Sequence, residues 1–277
     1  MNRFSINQAT IKHASLAEAV KATKDAGVPA IGLWREPVAE FGLAASARLV
    51  QDAGLRVSSL CRGGFFTAQE GPDRRASLDD NRRAIDEAAT LGAPTLVLVV
   101  GGLPAESRDL AGARERVRDA IGELVPDAVA AGVSLALEPL HPMYVADRAV
   151  VSTLGQALDI AEQFPANAVG VVVDTFHVFW DPQVFEQIAR AGAGGRISSY
   201  QVSDWVTPLP ADVLLARGYP GDGHIDFGPL NRAVADARYD GDIEVEIFNQ
   251  AVWDVPWSAA ISTCMERYKE LVAPDLE

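Results

Sequence analysis

A (β/α)8 barrel is the fold class this chain predicts, on three observations. Its 277 residues are close to the roughly 250 of one such barrel and too many for a small sandwich. Eight short β-rich runs alternate with longer helical patterns, and strict alternation implies a parallel sheet with right-handed crossovers. Several runs, LVLVV and VGVVV among them, are continuously apolar, as strands covered on both faces are. An open doubly wound sheet is the competing architecture, and eight units of this length favour closure. No linker divides the chain, so residues 1–277 are expected to form one domain.

The predicted strands are Arg3–Ile6, Ala30–Trp34, Arg56–Leu60, Thr95–Val100, Ser134–Leu137, Val169–Val173, Ile197–Val202 and Ile243–Phe248. Helical spacing fills the gaps. Leu16, Ala19, Val20 and Thr23 follow Ser15, with Glu18 three residues on, which is a capping box. Thr153 with Gln156 opens another helix. The last helix carries Ile261, Cys264, Met265, Tyr268 and Leu271 on one stripe, which makes Cys264 a core residue. Gly27, Gly54, Gly92 and Gly132 end helical patterns just before strands.

Composition narrows the function. Apolar residues make up 48% and charged residues 22% of the chain, the balance of a globular protein with a sizeable core. The net charge is −14, which disfavours nucleic acid and anionic membrane as partners. The longest apolar stretch, Thr95 to Leu103, is far short of the roughly 20 residues that span a bilayer. MNRFSINQAT has no signal-peptide core, and two distant cysteines, Cys61 and Cys264, give no disulfide framework. A soluble cytoplasmic protein is expected. No GxGxxG or GxxxxGK[ST] follows a strand, so a nucleotide cofactor is not expected.

In such a barrel, chemistry projects from the C-terminal ends of the strands. The fifth ends LALEPLH, with Glu138 at its tip and His141 three residues later. The sixth ends VVVDTFH, with Asp174 and then His177. The seventh, ISSYQVSDW, offers Gln201 and Asp204. The eighth, IEVEIFN, offers Glu244 and Glu246 on one face. Carboxylates converging on one mouth need a cation or a shared proton. An oxygen-rich set suits a divalent ion, Mn²⁺ or Mg²⁺. The set is Glu138, Asp174, Gln201 and Glu246. The alternative is that these groups cap helices or pair with Arg35, Arg62 or Arg217. Trp34, Phe65, Phe66, Trp180 and Trp205 fall at strand ends or early loops, where they could stack on a substrate or simply pack.

These motifs carry a resemblance. LALEPLH, VVVDTFH, the stretch from QVSDW to RGYPGDGHIDF, and EVEIF are similar to the xylose-isomerase-like TIM barrel superfamily over essentially the whole chain. That superfamily includes sugar isomerases, ketose 3-epimerases, inosose dehydratases and apurinic endonucleases. In the ketose-epimerase branch, Glu, Asp, His and Glu at the ends of strands five to eight hold the metal. The resemblance carries these roles to Glu138, Asp174, Gln201 and Glu246. It carries substrate contacts to His177 and to Arg217, ahead of Pro220, Gly221 and Gly223. Trp34 and His224 are further substrate-binding candidates. Two departures stand out: Gln201 replaces the usual histidine, and the loop from Gln201 to Arg217 is longer than the branch's.

The expected function is divalent-metal-dependent abstraction of a proton next to the carbonyl of a keto-sugar, of the isomerase or epimerase type. Glu138 and Glu246 would exchange the protons. The alternative is a lyase-type deglycosidase of 3-keto-glycosides, resembling the α subunits of C-glycoside deglycosidases. There His141 would act on the leaving group, and a small second subunit would be a partner. An oligomer is expected in either case. An apurinic endonuclease would need a His-rich zinc site and a basic face, which four histidines and a charge of −14 do not supply. A non-catalytic sugar-binding barrel is the remaining alternative.

Overall fold

A computed structural model describes residues 1–276 of the chain. Eight parallel strands close into a barrel. In chain order they are β1 Phe4–Asn7, β2 Ala30–Trp34, β3 Arg56–Gly64, β4 Thr95–Val99, β5 Ser134–Leu137, β6 Val169–Asp174, β7 Ile197–Val202 and β8 Ile243–Val245. Closure pairs β1 with β8 at Phe4–Ile243, Ser5–Glu244 and Ile6–Val245. The expected α/β barrel is therefore present. Its strand positions match the sequence reading except at some ends. β8 is shorter than Ile243–Phe248, because Ile247 N–H leaves the ladder and donates to Thr10 Oγ1 at 2.9 Å. β3 runs on to Gly64, since Gly63 and Gly64 keep pairing with β4.

The helices start and stop for local reasons. Ser15 and Glu18 form the reciprocal capping box on Leu16–Asp25, and Thr153 caps Leu154–Ala161 by accepting from Gln156 N–H. Gly92 and Gly132 close two long helices with φ of 71° and 68°, where a side chain would be strained. No helix among the described residues is long and apolar enough to cross a membrane.

Two apolar layers result. The larger lies between the strands and the helices, and Cys264 and Tyr268 belong to it as the stripe spacing requires. The smaller is inside the barrel: Cys61, Val97, Ala136 and Val172, with Trp34 against them. Strand side chains alternate with a period of two. Ala136 and Val172 therefore share a face with Glu138 and Asp174, which sit directly above this apolar floor.

The barrel interior also has a polar part. Glu244 lies there and accepts from Asn7 Nδ2 at 2.6 Å and from the Ser58 and Ser59 hydroxyls. Gly32 makes the room: a Cβ on it would fall 2.6 Å from the Glu244 carboxylate. Gly32→Ala is expected to break these bonds and to lower stability by about 1–3 kcal/mol. Urea unfolding measures this, and an unchanged midpoint would mean the carboxylate can move aside.

Candidate functional site

The strand register delivers the predicted groups to one mouth. Asp174 at the end of β6 pairs in register with Gln201, and Gln201 pairs with Glu244 on its other side. Glu138 follows β5, held by its N–H on Leu98 O at 3.2 Å, and Glu246 follows β8, held on Val202 O at 3.3 Å. All four of Glu138, Asp174, Gln201 and Glu246 are at most 5% exposed.

Arg217 completes the group, and the long loop after β7 exists in a form that seats it. Asp204 and Trp205 pair antiparallel with Arg217 and Gly218. Buried Asp204 organises the following turn: its carboxylate accepts from Gly221, Gly223 and Ile225 N–H at 2.8–2.9 Å. The Arg217 guanidinium then lies between Phe176 and Phe248, 4.7 and 5.6 Å from their ring centres. Its Nη1 donates to Asp174 Oδ2 at 2.8 Å and lies 3.4 Å from Glu246 Oε2. Both alternatives weighed from sequence therefore occur here. Asp174 pairs with Arg217, and its other oxygen caps a short helix by accepting from Phe176 N–H at 2.8 Å.

One cation does not neutralise three buried carboxylates. Burial, and then Asp174 and Glu246 nearby, push the Glu138 carboxyl well above the usual range. Burial pushes Glu246 up to about 8, against the opposing pull of Arg217. Arg217 stays charged, because Asp174 and Glu246 outweigh its burial.

His177 is buried against the same groups. Its Nδ1 faces His141 N–H at 3.2 Å and its Nε2 faces Arg217 Nη2 at 3.0 Å. Burial and Arg217 lower its pKa well below the usual value, so the ring is neutral. Whichever nitrogen lacks a proton already has a donor in front of it. His177, Glu138 and Asp174 offer ligand atoms within 4.8 Å of one another, but the imidazole has no lone pair to spare. Gln201 does have one. Its Nε2 donates to Glu244 Oε1 at 3.3 Å, which leaves Oε1 as the outward atom, and Oε1 is buried without a partner. An orphaned carbonyl oxygen beside unneutralised carboxylates fits a hard cation, which can use the second lone pairs on Asp174 as well.

A cavity of about 730 Å³ opens over these residues. Glu138, His177, Arg217 and Glu246 line one side and Trp34 the other. Four candidates are not among its lining residues: Asp174 and Gln201, which lie buried behind Glu138, Arg217 and Glu246, and His141 and His224. The His141 ring packs 5.4 Å from Trp180 and 5.0 Å from Trp205, and its Nδ1 accepts from Met143 N–H at the start of the Pro142–Tyr144 turn. Its backbone, not its ring, serves the site, through His177. His224 is exposed and bonds Thr207 Oγ1 at 2.8 Å. The sequence reading did not single out Gln8, Lys12, Tyr144 and Arg148, which also line the cavity. They come from loops whose positions depend on the closed barrel, and no motif marks them.

Geometry thus defines a (β/α)8 barrel with a carboxylate-lined C-terminal mouth. The chain belongs to the xylose isomerase-like TIM barrel family, whose model matches residues 20–271. It is 26% identical over 216 residues to an inosose isomerase of Bacillus velezensis, covering 76% of this chain and 73% of that one. It is 26% identical over 225 residues to a ketose 3-epimerase of Arthrobacter globiformis, covering 79% and 68%. Among solved structures, protein SMc04130 of Sinorhizobium meliloti 1021 superposes with a TM-score of 0.94 at 48% identity, covering 97% of this chain and 98% of that one. The IOLI protein, solved with a bound zinc atom, shares the fold with a TM-score of 0.86 at 21% identity, covering 98% of each chain.

The raised Glu246 pKa makes a stability prediction. A carboxyl shifted from 4.5 to about 8 on folding favours the fold when protonated. That contribution is complete below about pH 4.5 and is lost as pH rises through about 8, at up to about 1.4 kcal/mol per pH unit. Metal-free wild type is therefore expected to lose stability relative to Glu246→Gln across this window, by ~2–4 °C in Tm per kcal/mol. Thermal melts in chelator check it. Parallel pH curves for the two proteins would place Glu246 in the ordinary range.

Proposed function

We propose that this protein is a divalent-metal-dependent enzyme that abstracts a proton next to the carbonyl of a keto-sugar, as a sugar isomerase or epimerase does. One observation carries the reading: of three buried carboxylates, Asp174 and Glu246 share a single arginine and Glu138 has no ion pair, and a buried amide oxygen nearby has no partner. Relatives named as an inosose isomerase and a ketose 3-epimerase support the substrate class.

Glu138, Asp174, Gln201 and Glu246 would hold the metal, with Mg²⁺ or Mn²⁺ favoured by an all-oxygen set. When bound, such an ion polarises a carbonyl and an adjacent hydroxyl, which acidifies the C–H between them. Glu246, buried on the cavity wall beside Arg217, is placed to take and return a proton. Glu138, on the same wall, would be the second base, with its charge compensated when an ion is held. Arg217 lines the cavity and its Nε is buried without a partner, which makes this N–H the candidate donor to a substrate oxygen. Neutral His177 and the Arg217 stack fix that donor in place. Trp34 gives the sugar an apolar face to lie on. The lyase alternative asks for His141 at a leaving group, and that ring lies against two tryptophans instead.

Two experiments test the reading. Metal-loaded protein is expected to exchange the α-proton of a ketose with D₂O, followed by NMR. Absence of exchange across neutral and acidic ketoses would overturn it. Glu138→Gln and Asp174→Asn are each expected to lose bound metal and at least about 10²-fold in rate, while the melting transition persists. Elemental analysis after gel filtration reads the metal. Full retention in both variants would remove these residues from the ion.

Gln201→His is expected to move metal preference toward Zn²⁺, since imidazole is a softer donor than an amide oxygen. Competition between Mn²⁺ and Zn²⁺ measures the ratio, and an unchanged ratio would mean that Gln201 does not touch the ion.

A further inference from the structure

The cavity has a second polar wall that the proposed chemistry does not use. It lies across the mouth, at the ends of β1 to β3. Arg62, from β3, lines the cavity with its guanidinium carbon 4.8 Å from the Phe65 ring centre and 5.9 Å from that of Trp34. Its side chain makes no hydrogen bond or ion pair among the described residues, and its Nε is buried without a partner. The carboxylates on the helix behind it are taken. Asp80 and Glu87 pair with Arg35 at 2.8 and 2.6 Å, and Arg35 also reaches Arg62 O at 3.5 Å. The backbone of Arg62 is thus anchored while its head group is left free.

Two neighbours extend this wall. Gln8 is 2% exposed, and its Oε1 accepts from Trp34 N–H at 3.4 Å. Its Nε2 is therefore the outward atom, and it too is buried without a partner on the cavity lining. Lys12 stands 4.7 Å over the Trp253 ring and 6.0 Å over Phe248, and Phe248 meets Trp34 edge-on at 5.6 Å. Arg62 and Lys12 therefore flank the Trp34–Phe248 pair. The buried polar atoms left unpaired on this wall are both N–H donors. The opposite wall carries the carboxylates Glu138 and Glu246, with Arg217 and His177 among them.

We propose that Arg62, with Gln8 and Lys12, binds a carboxylate carried by the substrate. The substrate is then an acidic hydroxyketone, with its carbonyl at Glu138 and Glu246 and its carboxylate across the cavity. This rests on the keto-sugar reading above. A planar carboxylate satisfies the guanidinium Nε and Nη together, which one hydroxyl cannot do. A phosphate would bring up to two charges past Glu36 and Glu40, which stand exposed on the same rim. Arg148 is the weaker candidate, since it already faces Asp147 at 3.6 Å and Asp212 at 4.0 Å.

The test compares D-fructuronate, D-fructose and D-fructose 6-phosphate on the metal-loaded protein, by α-proton exchange in D₂O. Fructuronate is expected to have the highest kcat/KM. Arg62→Met is expected to lower the fructuronate-to-fructose ratio about 10- to 100-fold, chiefly through KM. Arg62→Gln, which keeps a polar side chain if the methionine variant fails to fold, is expected to fall in the same direction. Equal use of fructose, preference for the phosphate, or an unchanged ratio in the Arg62 variants would overturn the inference. If no ketose exchanges, the keto-sugar reading fails by itself, and binding still decides the subsite. D-gluconate is then expected to bind wild type more tightly than D-glucitol does, and Arg62→Met to abolish the difference. A difference that survives the substitution would place the carboxylate elsewhere.

Discussion

Everything at the mouth follows from placing carboxylates where water cannot reach them. Glu138, Asp174, Glu244 and Glu246 are all within 5% of complete burial. Each would be costly alone. Glu244 is supported by neutral donors, from Asn7, Ser58, Ser59 and Gln201. Asp174 and Glu246 share Arg217. Glu138 has no cation of its own and is left to hold a proton. The loop after β7 can be understood as the solution to this problem. Asp204 pins its far end, the Asp204–Trp205 ribbon pairs with Arg217–Gly218, and the guanidinium is threaded between two phenylalanines into the acidic cluster. A buried ion network of this kind is poor as a stabiliser and good at fixing one geometry.

Glutamine at position 201 makes sense within the same network. An amide has two ends of opposite character, and something must decide which end is left unpaired. Glu244 does so by accepting from Nε2. Glu244 is in turn oriented by Asn7, whose Oδ1 takes the Trp34 indole N–H at 2.8 Å. A hydrogen-bonded path therefore runs from the aromatic wall through Asn7 and Glu244 to the amide beside Asp174. Gly32 is small because this path needs the volume a Cβ would fill.

Much of this was legible in the sequence, and the reasons differ by residue. Strand tips could be read because apolar runs end abruptly in a carboxylate, as VVVD and LALE do. Periodicity put Glu244 and Glu246 on one face, and their partners separate them: one lies among serines, the other beside Arg217. That difference depends on the register of β8 against β1 and of β2 against β3, which no local pattern encodes. His141 was placed by its distance from Glu138. The following Pro142 starts a tight turn that the imidazole itself caps, which swings the ring toward Trp180 and Trp205. Sequence carried a signal there, since a residue before proline is pushed to extended backbone and out of a helix. Asp204 was read as one more offered carboxylate. Its true partners, Gly221 and Gly223, lie within the Pro-Gly-Asp-Gly turn it folds, and only the closed loop brings them together.

The charge map of the cavity sets how a substrate is oriented within it. The chain carries −14 overall, yet Lys12, Arg62, Arg148 and Arg217 all line this one cavity. Long-range repulsion of an anion by the whole surface is screened beyond about 8 Å at physiological salt. Inside the cavity, contacts at hydrogen-bond distance decide instead. There the arrangement is polar end to end. At β1 to β3 the unpaired groups of Gln8 and Arg62 are N–H donors with no carboxylate paired to them, whereas at β5 to β8 the donors of Arg217 stand among Glu138 and Glu246, with Trp34 and Phe248 between. A ligand uniform along its length would leave one wall unsatisfied in either orientation. One with an acceptor-rich end and a carbonyl end fits in a single direction, which is also the condition for presenting one C–H to one base.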